Sequence, residues 1–377
     1  MRVLYITDAL AVWGGIERVL RDKMNYLARN YAYNVHVVTT DQGPHPIPYP
    51  LDDKVMTHDL DIRFHHQYRH RGIKRLIAYQ KLQKLFKQRL KALIDELKPD
   101  VMVCIRVEFV SMVVAVKGDI PLICESHSLC NAYRYENTTF WNRFRIRNEM
   151  RCLSKANCMV ALTEGDANDW RQSCPRVTVI PNVVHLNDTG RYSDLKSKQV
   201  IFVGRMSTQK DFASMIEIWQ QVNQRHPDWV LHAYGEGELK DGYEKLLSEK
   251  NINMVLHAPT PDIFEKYMES SVFVLSSRFE PFGLVLPEAM SCGLPVVAFN
   301  CPYGPADIIT HGVNGFLIEN RDIRSFADKI CLLIENESLR QEMGANASKS
   351  VAKFRAEEIM PQWDRLFKSI GEKLHTS

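Results

Sequence analysis

Two glutamates, Glu280 and Glu288, stand eight positions apart across a Pro281-Phe282-Gly283 turn. Carboxylates so placed can hold two hydroxyl-rich parts of one ligand; the alternative is a solvated loop residue and an ordinary surface-helix residue. Arg205 and Lys210 follow Gly204 in a short polar segment. Arg clamps phosphate oxygens bidentately and Lys acts as a mobile point charge, so together they form a compact cationic site, unless both are merely solvated. His127 lies within Ser126-His127-Ser128, and a lone histidine there is either a ligand contact or a structural group. Gly14-Gly15 precedes an apolar-periodic run, where free backbone N–H groups and the helix dipole favour an anion or polar ligand. A tight turn is the other reading.

The elements around these residues place them alike. Ser271–Leu275 reads as a buried parallel strand, Leu284–Cys292 as a helix, and the chain from Pro295 to Phe299 as the next strand. Glu280 then sits at a strand's C-terminal end and Glu288 about two turns into the following helix. Open α/β sheets bind ligands beyond the carboxyl ends of their strands. Arg2–Thr7 is a strand and Ile16–Asn30 a helix. Strands at 34–40, 54–60, 100–105, 120–125, 158–162 and 177–181 continue the series, with helices over 109–117 and 140–156, and His127 falls just past the fourth of these. A polar stretch, 184–198, reads as a linker. A second βα series starts at Val200, whose strand leads into Gly204-Arg205. Trp229–Tyr234 and Ile252–His257 are further strands, and Asp262 and Asp322 are expected helix N-caps. The domains are therefore 1–183 and 199–355, with an amphipathic terminal helix in 356–377 carrying Ile359, Trp363, Leu366, Phe367 and Ile370.

A chain of 377 residues with 45% hydrophobic and 25% charged residues is an ordinary globular protein of two domains. The net charge of +3 is too small to imply a partner. Its distribution is uneven: from Ile62 to Ile94 there are ten Lys/Arg and no Asp or Glu. Ile73, Leu76, Ile77, Leu85, Phe86, Leu90, Leu93, Ile94 and Leu97 recur there at helical spacing. Residues 63–91 thus suit an anionic membrane surface, each cation contributing about 1 kcal/mol, or form a solvated face packed on its own domain. No nucleic-acid-binding module surrounds the patch. No signal peptide or spanning stretch is evident, so the expected location is cytoplasmic, peripheral on the inner face of the membrane if the basic helix binds it. Nine cysteines without CxxC pairs read as buried thiols rather than a disulfide framework or zinc site.

Together these signals resemble the nucleotide-sugar-dependent glycosyltransferases of the GT-B fold, specifically the large retaining family 4. The resemblance covers essentially the whole chain. Its most specific part is the E-x7-E motif from Glu280 to Glu288. Gly14-Gly15 followed by Glu17-Arg18, the G-R-x4-K pattern of Gly204, Arg205 and Lys210, and the G-x-G-x-L turn at Gly235–Leu239 support it. It implies an α/β fold of two Rossmann-like domains facing each other across a donor-binding cleft, with the terminal helix crossing back to the N-terminal domain. Arg205 and Lys210 would neutralise the donor diphosphate, and Glu288 would hold the ribose hydroxyls. Glu280 would bind the donor sugar. Backbone N–H groups around Gly283, Leu284 and Val285 would touch the sugar and distal phosphate, and Gly15 would face the diphosphate. His127 would lie near the anomeric centre, reaching from the other domain. The loop with Pro259 and Pro261 would line the base.

The implied activity is transfer, with retention, of a hexose or N-acetylhexosamine from a UDP-sugar, or a GDP-sugar, to a saccharide or lipid-linked saccharide acceptor in cell-surface glycan synthesis. Acceptor contacts would come from 8–15, 42–72 and 126–140. Leaving-group charge builds on the diphosphate, and preorganised cations and amides stabilise it. No cofactor or metal is needed for this account, there being no Asp-x-Asp near the expected donor site. The resemblance also argues against a covalent nucleophile, since the departing phosphate oxygen itself would accept the acceptor's proton. A soluble sugar or sugar-phosphate acceptor is the alternative within the same fold. A non-catalytic nucleotide-sugar-binding scaffold is the alternative of another class. A nicotinamide oxidoreductase fits poorly because the first loop lacks GxGxxG.

Overall fold

The computed structural model describes residues 1–128, 130, 140–250, 252–319 and 321–372. It divides into one unit of Met1–Val183 with Ala356–Ser377 and a second of Val184–Arg355. In the first, seven parallel strands are β1 (Arg2–Ile6), β2 (Asn34–Thr39), β3 (Val55–Asp59), β4 (Val101–Cys104), β5 (Leu122–Glu125), β6 (Cys158–Ala161) and β7 (Val177–Val179). Their order is β3-β2-β1-β4-β5-β6-β7. Helices α1 (Gly15–Asn30), α2 (Gly72–Leu97), α3 (Val110–Val114), α4 (Phe140–Leu153) and α5 (Glu164–Arg171) make the crossovers that parallel strands require.

The sheet is buried on both faces because β1 alternates. Leu4 and Ile6 join a core with Phe86 and Leu90 of α2 and Trp170 of α5. Val3 and Tyr5 join another with Leu20, Met24 and Leu27 of α1. The terminal helix, Ala356–Glu372, belongs to this second core through Ile359, Met360, Trp363, Phe367 and Ile370. Each side chain so removed from water contributes about 1.5–3 kcal/mol. Tyr33 also donates to Asp364 at 2.6 Å, tying the helix to the end of α1.

In the second unit, β8 (Gln199–Val203), β9 (Val230–Tyr234), β10 (Met254–His257), β11 (Val272–Leu275), β12 (Val296–Phe299) and β13 (Gly315–Ile318) form a parallel sheet ordered β10-β9-β8-β11-β12-β13. Around it lie α6 (Phe212–Arg225), α7 (Lys240–Lys250), α8 (Ile263–Met268), α9 (Val285–Ser291), α10 (Gly304–Ile308), α11 (Ile323–Glu335) and α12 (Glu337–Ser350). The terminal helix is α13. Each sheet reverses its order once, between β1 and β4 in the first and between β8 and β11 in the second. Such switch points open a crevice at the strands' carboxyl ends.

Several expectations change. The segment 184–198 is not a loose linker. Asn187 N donates to Ser291 Oγ at 2.9 Å, Ser193 N to Cys292 O at 2.9 Å and Ser193 Oγ to Ser270 O at 2.5 Å, so it lies against the second unit. The helix expected over 109–117 is a 3-10 turn, Val107–Phe109, running into the short α3. Asp262 precedes α8 without a side-chain cap, whereas Asp322 accepts from Ser325 N as expected. The basic helix is not amphipathic along its length. Phe86, Leu90 and Ile94 are buried, while Ile73, Leu76 and Ile77 are exposed. Cys104, Cys124 and Cys331 are buried free thiols. Among the described residues no helix is long and apolar enough to cross a membrane. Of the expected acceptor segment 126–140, residues 129 and 131–139 lie outside the described residues.

Candidate active site

The second unit's switch point brings three predicted residues onto two adjoining loops. β8 leads into Gly204-Arg205, and the turn after it ends at Lys210, next to α6. β11 leads into Ser276–Glu280. Lys210 Nζ donates to Glu280 Oε1 at 2.5 Å, and Ser277 Oγ donates to the same oxygen at 2.6 Å. Glu280 is nearly buried, while Arg205 is exposed.

The two loops are stitched together. Arg278 N donates to Gln209 O at 2.8 Å and Gln209 Nε2 to Phe279 O at 3.1 Å. Ser276 Oγ lies 3.0 Å from both Lys210 O and Asp211 O. Arg321 pairs with Asp211 and donates to Ser276 O and Ser277 O at 3.1 and 3.0 Å. Its guanidinium stacks over Phe299, 4.3 Å from the ring centroid. Glu280 is also fixed by its backbone: its N donates to Pro302 O, and Tyr303 N and Gly304 N donate to its O.

Gly283 turns the chain with φ +90, which an L side chain rarely adopts, and α9 begins two residues later. The Leu284 and Val285 amides therefore lie at a helix N-terminus, where the first N–H groups lack intrahelical acceptors. Glu288 is buried and falls in the first turn of α9, not two turns in: it lies only three residues past Val285, less than one turn at 3.6 residues per turn. Gly235 lies so close to Gly204 O that a Cβ would collide with it, which lets the loop after β9 pack against the Arg205 turn.

Pro259 and Pro261 are exposed just beyond β10. Beside them is a stack that sequence reasoning missed. Tyr234 and His257 lie parallel with centroids 4.5 Å apart, and His257 Nε2 is 2.9 Å from His232 Nδ1. Burial first, then the neighbouring positive charges, pull the His232 and His257 pKa values down. All three end or line adjacent strands, a placement visible only once β9 and β10 pair.

At the first unit's switch point Asp8, after β1, receives Arg106 from beyond β4 in two bonds of 2.9 and 2.7 Å. Gly14 is the N-cap of α1 and Gly15 its exposed first residue. Glu17 turns its carboxylate back against Gly14, so the helix end faced by an anion in the family resemblance is faced here by a carboxylate of the chain itself. Burial pushes the Glu17 pKa up. Leu10 N donates to Gln42 Oε1 at 2.8 Å, linking loop 8–15 to the loop after β2. Trp13, 74% exposed, meets Tyr49 edge to face at 4.9 Å, and Arg21 lies 5.6 Å over the Tyr49 ring.

His127 stands two residues past β5, its side chain almost buried. Its Nε2 lies 3.1 Å from Glu125 Oε1, a close contact though not an aligned hydrogen bond. Glu125 also takes Lys23 Nζ of α1 at 2.6 and 2.5 Å on its two oxygens. Neither Lys23 nor Glu125 was expected at a site: Lys23 lies in a polar run of the amphipathic α1 and Glu125 ends the apolar strand β5, and only the fold brings them together.

Comparison with known proteins agrees with this architecture. Residues 13–188 match the family model described as glycosyltransferase family 4, and residues 190–350 the model described as glycosyl transferases group 1. The chain is 27% identical to the amylovoran biosynthesis glycosyltransferase AmsD of Erwinia amylovora, over 96% of this chain and 98% of that one. It is 34% identical to the poly(ribitol-phosphate) alpha-N-acetylglucosaminyltransferase of Staphylococcus aureus, over 57% of this chain and 45% of that one, so it spans about half that relative's length. The crystal structure of S. aureus TarM with fondaparinux, alpha-GlcNAc-glycerol and UDP superposes with a TM-score of 0.79 at 18% identity, covering 97% and 99% of the two chains. With two parallel α/β units in the matched order and both family models fitting in tandem, the chain belongs to the family 4 and group 1 glycosyltransferases of the GT-B fold.

Proposed function

We propose that the enzyme transfers a hexose or N-acetylhexosamine, with retention, from a nucleoside diphosphate sugar to a saccharide or lipid-linked saccharide of a bacterial cell-surface glycan. The observation that carries this reading is the Lys210–Glu280 pair at the second unit's switch point, fixed on adjoining loops, with Arg205 exposed earlier on the same turn as Lys210. Glu280 holds both its partners on Oε1, and Oε2 has no partner among the described residues. That oxygen suits a hydroxyl of the donor sugar. Arg205 and Lys210 meet the charge of the departing diphosphate, together with the amides of Gly283, Leu284 and Val285. Glu288 binds the ribose, and Pro259 and Pro261 line the base beside Tyr234 and His257. His127 attends the donor sugar and Gly15 the diphosphate. No covalent nucleophile, cofactor or divalent ion is invoked, because two cations already offset the diphosphate charge.

UDP is the favoured nucleotide, supported by its presence in the TarM complex; GDP is the alternative. The acceptor meets the loops after β1 and β2, where Trp13 and Tyr49 offer an aromatic ledge. A panel of UDP- and GDP-sugars read by slow donor hydrolysis tests the reading without needing an acceptor. Hydrolysis confined to one or two donors and lowered about 100-fold or more in Lys210→Ala is the expected result. Absence of turnover with every donor, alongside measurable nucleotide-sugar binding, would favour a non-catalytic scaffold.

A second reading concerns where the enzyme works. Tyr68, Ile73, Leu76 and Ile77 are exposed among Arg69, Arg71, Lys74 and Arg75, a surface suited to anionic headgroups and to a lipid-linked acceptor on the cytoplasmic face. Flotation with anionic liposomes at low and high salt tests it. Failure to float at low salt would leave a soluble sugar or sugar-phosphate acceptor as the better choice.

A further inference from the structure

Lys23 and Glu125 form an ion pair with side chains each 1% exposed, in the middle of an apolar core. Removing two charges from water costs several kcal/mol per ion, and apolar replacements often do as well or better for stability. Stability alone therefore does not explain the pair. Its surroundings point to another role. The ammonium is capped by Trp363 of the terminal helix, 3.6 Å from the ring centroid, with Tyr5 of β1 at 5.8 Å. With Lys23 Nζ within bonding distance of both Glu125 oxygens, the carboxylate plane is fixed. Burial opposes ionisation of Glu125, but Lys23 and His127 outweigh it and hold its pKa down at about 2.

That fixed charge touches one further group, His127 Nε2 at 3.1 Å. The backbone around His127 is pinned separately. Asp166 of α5 accepts from Cys130 N at 3.0 Å and Trp170 Nε1 at 2.8 Å, and lies 3.0 Å from Ser126 Oγ. Asp166 thus holds the loop, whereas the Nε2 edge of the ring is met by Glu125 Oε1 at 3.1 Å.

We infer that Lys23 and Glu125 are positioning residues: Lys23, clamped by Trp363, fixes the Glu125 carboxylate, and Glu125 sets the orientation of the His127 ring. The inference rests on the reading that His127 acts at the donor sugar. It makes the terminal helix, through Trp363, part of the apparatus that orients a site residue.

Donor hydrolysis with the UDP-sugar found in the panel, read with thermal unfolding, tests this. Lys23→Met leaves a buried carboxylate unpaired and is expected to lower Tm sharply. Lys23→Met/Glu125→Gln removes both charges at similar volume and is expected to recover Tm. Its kcat is nevertheless expected to stay down about tenfold or more, with the donor KM within about twofold, because a misplaced group slows the reacting state more than it weakens binding. A purely structural pair would regain both Tm and kcat, and that result overturns the inference. Should the double variant not recover its Tm, Glu125→Asp keeps the charge but draws it back from Nε2. A fall in its kcat supports the positioning role, and wild-type kcat overturns it. His127→Ala separates the two levels: full activity there refutes the role of His127 itself.

Discussion

Lys210 and Ser277 both donate to a single oxygen of Glu280, Oε1, at 2.5 and 2.6 Å. A carboxylate bonded this way keeps its second oxygen for a ligand while its charge is balanced. It also couples two parts of the proposed donor site, since the cation assigned to the diphosphate and the acceptor assigned to the sugar are in direct contact.

That coupling predicts non-additive kinetics. Lys210→Ala removes a cation from the leaving group and is expected to lower kcat about 100-fold or more, in the range of losing one preorganised donor. Glu280→Gln keeps a hydrogen-bonding side chain but breaks the pair, so its loss should be smaller, about tenfold in kcat/KM. The double variant should fall short of the product of the two losses, because each single change already disturbs the other residue. Donor hydrolysis by the three variants measures this. Strictly multiplicative losses would show that the contact does not couple the roles.

Arg321 carries a different expectation, since it belongs to the frame. It pairs with Asp211, whose side chain is 5% exposed, and reaches the two carbonyls that precede Arg278. Arg321→Ala strands a buried carboxylate, against which Arg278 at 3.4 Å gives only partial compensation. Stability should fall by about 2 kcal/mol or more, below the full cost of breaking a buried pair because Arg321 is one-third exposed. The donor KM should rise as the Lys210 turn loosens. Asp211→Asn in the same chain should restore much of the stability. Denaturant unfolding decides, and an unchanged midpoint in Arg321→Ala would refute the claim.

The pH dependence of stability has a marked contributor in Glu149 of α4. Burial, and then the nearby Glu108 charge, push its pKa up from 4.5 to about 8. For an acid raised on folding, the sign is the reverse of the usual carboxylate case. Below 4.5 both states are protonated and the group is neutral to stability. Between that value and about 8 the unfolded chain has given up the proton that the folded chain keeps, so stability falls as pH rises. Above about 8 the loss is complete. Glu149→Gln should therefore gain stability relative to wild type as pH rises from 5 to 8. Urea titrations of both proteins at three pH values test it, and a constant difference would contradict the buried, protonated state.

Much of this architecture was legible in the sequence because its strands are continuous apolar runs, as parallel strands buried on both faces must be. Val272–Leu275 and Val296–Phe299 are examples, and the glycine, cation and carboxylate patterns between them mark the second unit's loops. What escaped is whatever depends on which strands are neighbours. Lys23 and Glu125 are 102 positions apart, and Arg321 and Asp211 are 110. No spacing rule connects such pairs, and an isolated Lys in an amphipathic helix reads as solvated. Periodicity also assigned one apolar face to all of α2, whereas only its residues from Leu82 onward pack into the core. The segment 184–198 looked like a linker because it is polar; its Ser and Asn groups instead bond to the backbone and side chains of the second unit.

Trp13 offers a last, acceptor-side expectation. A tryptophan 74% exposed is unusual enough to need a reason, and edge contact with Tyr49 holds it in place while leaving most of its surface to water. It stands directly before the Gly14 N-cap of α1. An aromatic surface there suits the apolar C–H face of a pyranose ring in a saccharide acceptor. Trp13→Ala should leave Tm and acceptor-independent donor hydrolysis within about twofold of wild type, since the side chain is exposed and packs little. Transfer to a saccharide acceptor should show KM raised about tenfold, the size expected when stacking worth about 1–1.5 kcal/mol is lost. Trp13→Tyr should recover much of it, because a smaller aromatic still stacks. Equal effects on donor hydrolysis and on transfer would place Trp13 with the donor instead, and no effect on either would leave its exposure unexplained by acceptor binding.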